Sequence, residues 1–425
     1  MRSRNRLVYG AAAYLLIPVL ALIMLWRGWH ERGYWQNFAE RFGFGRTVKR
    51  PSIWVHAVSV GEVQAAAALI RNLGARYPEM PLVLTTTTPT GAERARALFA
   101  DQVDVRFVPF DLPGAARRFF ERVRPRLAVI FETELWPNLY HECRARGVPL
   151  VLASARMSAR SVRRYRRLLG IFADTLSQGV VIGAQACADA ERFRAVGAPA
   201  ARTHVTGNIK FDFTVPPETC ARGRELRAYY ATGRAVWVAG STHAGEEEIL
   251  LDAQRRLMQS HPHALLVLVP RHPPRFADVA AWLGREGVAF VMASQRVAAG
   301  ADTTVLLVDS LGELLDFYAA GDVAFVGGSL VPVGGHNLLE PAALGLPILT
   351  GPHLFNSEDI AQLLGACGAL EIVRDAADLA GCLAMLLSDA AERARRGELG
   401  RASIEANRGA LEKLLHLIDP VLQGS

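Results

Sequence analysis

The spacing of apolar and polar positions divides the chain into three textures. Leu7 to Trp26 is an unbroken uncharged run of twenty residues. As one helix it would reach about 30 Å, the hydrocarbon thickness of a bilayer. From Pro51 onward, short apolar runs alternate with amphipathic stretches, the rhythm of βαβ units in a parallel sheet. The runs predicted as strands are 53–59, 82–88, 105–110, 127–133, 150–155 and 180–183. After a pause at Thr214–Glu218 come 235–241, 264–270, 288–293, 305–309, 323–328 and 348–350. Segments 63–77 and 92–99 read as helices between strands, and 386–422 as closing helices. The expected fold is therefore α/β, with two Rossmann-like domains and a substrate cleft between them. The expected boundaries are residues 1–26 for an anchor, 27–206 for the first domain and 207–425 for the second.

Composition narrows the class. Of 425 residues 51% are hydrophobic and 21% charged, a globular balance. The net charge of +7, carried mostly by arginine, favours phosphates, acidic sugars or a lipid headgroup layer as partners. No zinc-finger spacing, basic heptad helix or aromatic-basic ribonucleoprotein run accompanies it, so nucleic acid is not the expected partner. The five cysteines are scattered without a C-x-x-C pair, which speaks for a reducing compartment and against a structural zinc site. The run 7–26 ends in Leu25-Trp26-Arg27-Gly28-Trp29 rather than a small-residue cleavage site, so an uncleaved anchor is expected. Arg2, Arg4 and Arg6 precede it; Arg27, Arg32, Arg41 and Arg46 follow, leaning slightly to a cytoplasmic body. Trp26, Trp29, Tyr34, Trp35, Phe38, Phe42 and Phe44 read as an interfacial collar, or alternatively as core aromatics.

Four segments carry candidate chemistry, and no P-loop, G-x-G-x-x-G, Asp-x-Asp or H-E-x-x-H motif accompanies them. Ser59-Val60-Gly61-Glu62 ends the first strand. Its carboxylate is placed for general-base work, while the same spacing is also a capping box. Glu132-Thr133-Glu134 ends the fourth predicted strand ahead of Pro137, where a carboxylate serves either the reaction or a nearby arginine. Gly327-Gly328-Ser329 and Pro332–Pro341 combine glycines with a helix start near His336. They suit either a phosphate, with Glu340 on ribose hydroxyls, or a simple turn capped by Asn337. Lys210, Ser241-Thr242-His243 and Arg271-His272 stand at other strand ends as parts of a metal-free phosphate clamp. Six arginines between Arg156 and Arg167 read as a solvated face or, beside an anchor, as a site for a phosphorylated or acidic lipid.

With those segments in order, the chain resembles the 3-deoxy-D-manno-octulosonic acid (Kdo) transferase family of lipopolysaccharide synthesis. The resemblance rests on 59–62, 131–138, 154–161, 206–212, 240–247, 270–276, 309–314 and 327–341, nearly end to end. It implies a GT-B fold, a single N-terminal anchor in the inner membrane, CMP-Kdo as donor substrate without cofactor or metal, and the lipid A precursor (lipid IVA) as acceptor. It further implies Glu62 as general base and Glu134 as a supporting carboxylate. The donor site would comprise Lys210, Ser241, Thr242, Arg271, Gly334, Gly335, Asn337 and Glu340. The arginines Arg156, Arg160 and Arg163 are the matching candidates for the acceptor. A UDP-sugar transferase, an epimerising enzyme and a non-catalytic nucleotide-binding scaffold are the competing readings.

Overall fold

The structure, a computed structural model, describes residues 3–166, 169–177 and 179–423. Two compact units divide the chain: residues 1–212 with 407–425, and residues 213–406. In the first, seven parallel strands form one sheet: β1 (Ser52–His56), β2 (Leu82–Thr86), β3 (Val103–Phe107), β4 (Pro125–Phe131), β5 (Leu150–Ala155), β6 (Val181–Ala184) and β7 (Thr203–Val205). Their order is β3-β2-β1-β4-β5-β6-β7. Helices cover both faces, so the central strands are buried along almost their whole length instead of alternating. Ile53 and Val55 pack with Leu69 and Leu84 on one side. Trp54, Ala128 and Ile130 pack with Phe119 and Phe120 on the other.

The second unit repeats the plan with β8 (Val236–Thr242), β9 (Leu265–Pro270), β10 (Phe290–Met292), β11 (Val305–Leu307), β12 (Val323–Val326), β13 (Ile348–Thr350) and β14 (Leu370–Ile372). These run in the order β10-β11-β9-β8-β12-β13-β14, all parallel. Trp237, Ala239, Leu266 and Leu268 line one core. Val236, Val238, Leu265 and Val267 line the other.

Each sheet reverses its winding once, between β1 and β4 in the first and between β8 and β12 in the second. Connections leave to opposite sides there, and a crevice opens beyond the carboxyl ends of those strands. The segments after β1, β4, β8 and β12 are those read above for chemistry.

Three expectations are corrected. The strands β7 and β14 were not expected; three-residue edge strands, with Val205 and Ile372 exposed, are too short to show a period. The division falls after Asp212 instead of at 206, and the last helix, Ala410–Gln423, belongs with the first unit. Its Ala410, Leu414, Leu415 and Ile418 enter the core of Ile53 and Leu69. The Asp212 carboxylate accepts the amides of Gly409 (2.6 Å) and Leu411 (2.5 Å) at its start.

The amino-terminal run is not one straight helix. Helices Ser3–Leu15 and Ile17–His30 succeed one another, with a 44° bend between Val8–Leu15 and Ile17–His30; no single described helix is long and apolar enough to cross a membrane, and that bent pair passes only by length and composition. Pro18 supplies the cause, because it has no amide to donate and its ring crowds the preceding turn. The Tyr9 hydroxyl donates to Asp111 Oδ2 (2.9 Å), and the Gly114 amide donates to the Tyr14 hydroxyl (3.2 Å). Trp26, Trp29, Trp35 and Phe44 are exposed as a collar requires. Phe42 instead packs edge-on against Phe38 and Phe110. Arg41, expected among the flanking charges, is buried over the Phe107 ring with its guanidinium donating to the Thr87 carbonyl. Arg2 lies outside the described residues, as do the side chains of Arg4 and Arg6.

Candidate functional site

Beyond β1, helix Val60–Arg76 begins after Ser59. The reciprocal capping box does not form: the Ser59 hydroxyl caps nothing, and Glu62 Oε2 accepts the Val58 amide at 2.8 Å. One carboxylate oxygen is thereby fixed from the strand end. Burial pushes the Glu62 carboxyl up to about 7; the Val58 amide and Lys210 pull it down, while Glu132 and Glu134 push it further. Glu134 also rises to about 7, through burial first, against the neighbouring Trp136 indole and with Glu132 adding repulsion. Two carboxyls poised near neutrality at one sheet edge are suited to proton transfer.

Glu132 sits between them with φ of 55°, left-handed backbone that a non-glycine side chain adopts at a cost. Its carboxylate lies 3.5 Å from Lys210 Nζ. Lys210 was expected in the donor clamp of the second domain. It stands instead in the first unit, on the turn Ile209–Asp212 held by Asp212, within electrostatic reach of Glu62.

In the second unit, β8 is interrupted at Ser241, whose φ is 58° and where the register with β9 shifts between Gly240 and Thr242. The Thr242 hydroxyl is fully buried and donates to Glu247 Oε1 (2.9 Å), so it braces the site and does not face a ligand. Arg275 closes on the same carboxylate with two bonds of 2.7 and 3.1 Å. Glu246 is fully buried and accepts four amides: His243 (3.0 Å), Gly328 (2.7 Å), Ser329 (2.9 Å) and Leu330 (2.9 Å).

That arrangement corrects the expected anion cradle. The amides of the first glycine turn serve Glu246, and those of Gly334 and Gly335 both donate to the Gly328 carbonyl, at 3.0 and 2.8 Å. The helix that follows, Leu339–Ala343, is only five residues long. Asn337 Oδ1 accepts the Leu339 amide (3.1 Å) and its Nδ2 donates to Glu340 Oε1 (3.0 Å), the turn-capping alternative. Gly334 and Gly335, at φ of 111° and 74°, admit no side chain, because a Cβ would run into Phe355 and Leu354.

What faces outward is a basic ring. Arg271 is half-buried beyond β9 and makes no ion pair among the described residues. Around it stand His243, His272 and His336. His243 Nε2 lies 2.7 Å from His336 Nε2, and the His272 ring is 5.3 Å from that of His243. The sequence assigned no role to Glu246, Arg275 or His336; a run of acidic residues and prolines near a strand end are too common to single them out. Among the described residues no group of three or more His, Cys, Asp or Glu is arranged to hold a metal ion.

Arg160 and Arg163 are exposed on helix Ala159–Arg166, and Arg156 is exposed just before it. The Met157 amide donates to the buried Asp189, which fixes the start of this segment. Arg167 lies outside the described residues, as do the side chains of Arg164 and Arg166.

Residues 36–213 match the family described as 3-Deoxy-D-manno-octulosonic-acid transferase (kdotransferase). A 3-deoxy-D-manno-octulosonic acid transferase of Haemophilus influenzae is 42% identical over 394 residues, 92% of each chain. The enzyme of that name from Bordetella pertussis is 38% identical over 430 residues, covering 98% of this chain and 99% of its own. In fold alone, a glycosyltransferase structure from Rickettsia africae aligns with a TM-score of 0.55 at 12% identity, over 89% of this chain and all of that one. With near-complete coverage at such identity, this chain belongs to the 3-deoxy-D-manno-octulosonic acid transferase family of glycosyltransferases.

Proposed function

We propose that the protein transfers Kdo from CMP-Kdo to the lipid A precursor lipid IVA in lipopolysaccharide synthesis, by one inverting displacement with Glu62 as general base. The observation that carries the reading is the Glu62 carboxyl at the β1/β4 switch point, fixed by the Val58 amide and raised to about 7. An acceptor hydroxyl beside it loses its proton to Glu62 as it attacks the anomeric carbon. Glu132 ties Lys210 at the same edge, so a cation is held where negative charge passes from hydroxyl to carboxylate. In the second unit Arg271 and the histidines receive the leaving phosphate, and Glu340, whose Oε1 is held by Asn337, meets the ribose with its other oxygen. Arg156, Arg160 and Arg163 suit the phosphates of the acceptor lipid. The apolar side chains exposed on helix Ile17–His30 suit anchoring in the inner membrane, with both units on the cytoplasmic side.

The test is transfer of radiolabelled Kdo from freshly made CMP-Kdo to lipid IVA, read by thin-layer chromatography with and without a chelator. A slower lipid band, undiminished by chelation, is expected. Label that never reaches lipid removes the Kdo assignment, and loss restored by a divalent ion removes the metal-free clamp. The same assay across pH reads the base. Glu62 must be ionised to accept a proton, so kcat/KM is expected to rise from pH 6 and level off above about 7. A rate independent of pH over that range contradicts the assignment.

A further inference from the structure

The two imidazoles after β8 and before helix Leu339–Ala343 are tied by a bond with an unusual requirement. His243 Nε2 and His336 Nε2 are 2.7 Å apart. The ring planes differ by 6° and the centroids lie 5.0 Å apart. With the nitrogens so much closer than the centroids, the rings meet edge to edge in one plane and do not stack. Such a contact needs one proton between two nitrogens, one donating and the other accepting. A second proton at that contact would force the two N–H groups together.

We propose that His243 and His336 act as one proton site that binds the phosphate of the nucleotide substrate and takes up a proton as the phosphate enters. The proposal rests on the donor-site reading given above and adds to it the proton that the pair takes up and shares. Both rings are half-buried, so their outer edges remain reachable. Gly328 makes the room: a Cβ there would lie 2.9 Å from the His336 ring. The cationic neighbours push the pair toward neutrality, and only Glu247 acts on His243 in the other direction. Arg271 and His272 beyond β9 act on both rings, and Arg275 acts on His243. Of the two carboxylates nearby, Glu246 is spent on four amides and Glu247 is clasped by Arg275 and Thr242. Burial first, then these cations, hold His336 down to about 4 and His243 below its ordinary value. Without an anion beside it, the pair is therefore neutral at pH 7. An arriving anion is the missing counter-charge, and it makes the protonated pair favourable.

The reaction gives that proton a use. When the bond from the anomeric carbon to the phosphate oxygen breaks, its electron pair stays on that oxygen, and a diester with one negative charge becomes a monoester with two. The proton on the pair hydrogen-bonds to, or moves onto, that oxygen, while the acceptor's proton goes to Glu62.

Calorimetric titration of the full-length protein with CMP, at pH 7.5 in two buffers of different ionisation enthalpy, counts the protons exchanged. Uptake approaching one proton per CMP is expected for the native protein. His336→Gln keeps a hydrogen bond to His243 but cannot hold the charge. Its uptake should vanish and its CMP affinity fall about tenfold at pH 6.5, with a smaller loss at pH 8.5. His243→Gln should behave alike, and thermal melting checks that both variants are folded. CMP binding without uptake by the native protein, or uptake undiminished in folded His336→Gln, overturns the proposal while leaving the donor site standing. Failure of the native protein to bind CMP removes the donor reading, and the proposal with it.

Discussion

Glu62→Gln is expected to lower Kdo transfer by a factor of about 10² to 10⁴ while CMP binding stays intact, the range for loss of a general base. Glutamine retains an oxygen for the Val58 amide, so the start of helix Val60–Arg76 keeps its geometry. What is lost is the lone pair of an ionised carboxylate. The substitution should also raise the melting temperature at pH 8. Because the folded-state carboxyl is raised from 4.5 to about 7, the native protein binds a proton that the unfolded chain has released between those values. Stability therefore falls as pH rises through that window, and the penalty is complete above it. Glutamine removes the penalty, so the gain should be present at pH 8 and absent at pH 4. A variant with full activity refutes the base assignment. One that is inactive but melts lower at pH 8 shows that Glu62 serves the fold instead.

Glu246→Ala is expected to produce the largest stability loss in the second unit, on the order of 4 kcal/mol. One buried carboxylate there satisfies the amides of His243, Gly328, Ser329 and Leu330. Each amide stranded without water or partner costs about 1–3 kcal/mol, discounted for relaxation of the turn. Glu246→Gln should be only partly tolerated, since its NH₂ group points a donor at two amides that are themselves donors. Guanidinium unfolding against the exposed control Glu248→Ala measures the difference. A Glu246→Ala midpoint equal to the control's shows that the turn holds itself. If the expected loss appears, activity should fall with it, because the turn also carries the position of His336.

The two substitutions probe residues of unequal visibility in the sequence. Glu62 announced itself by position, three residues past the apolar run 53–59 and inside a short motif. Glu246 had the same kind of position after β8, but it sits in a run of three glutamates that reads as a solvated helix start. Only the return of Gly328–Leu330 onto it, some eighty residues later, gives it work. Lys210 was read with the phosphate clamp as a basic group at a strand end. Contact with Glu132 puts it among the carboxylates of the first unit. The long uncharged run 7–26 was legible as apolar, but the consequence of Pro18 within it was passed over.

By itself the sequence determined the α/β class, most of the strands and the segments that bear chemistry. Apolar runs, helical periods and glycine positions are local properties, recorded wherever the backbone demands them. Tertiary structure alone decided which strand ends are neighbours. The sheet orders place β1 beside β4 and β8 beside β12, though some seventy to ninety residues separate each pair in the chain. Ionisation states, the Glu246 cradle and the His243–His336 contact all follow from that adjacency. Burial and Coulomb forces act through distance in space, which spacing along the chain does not encode.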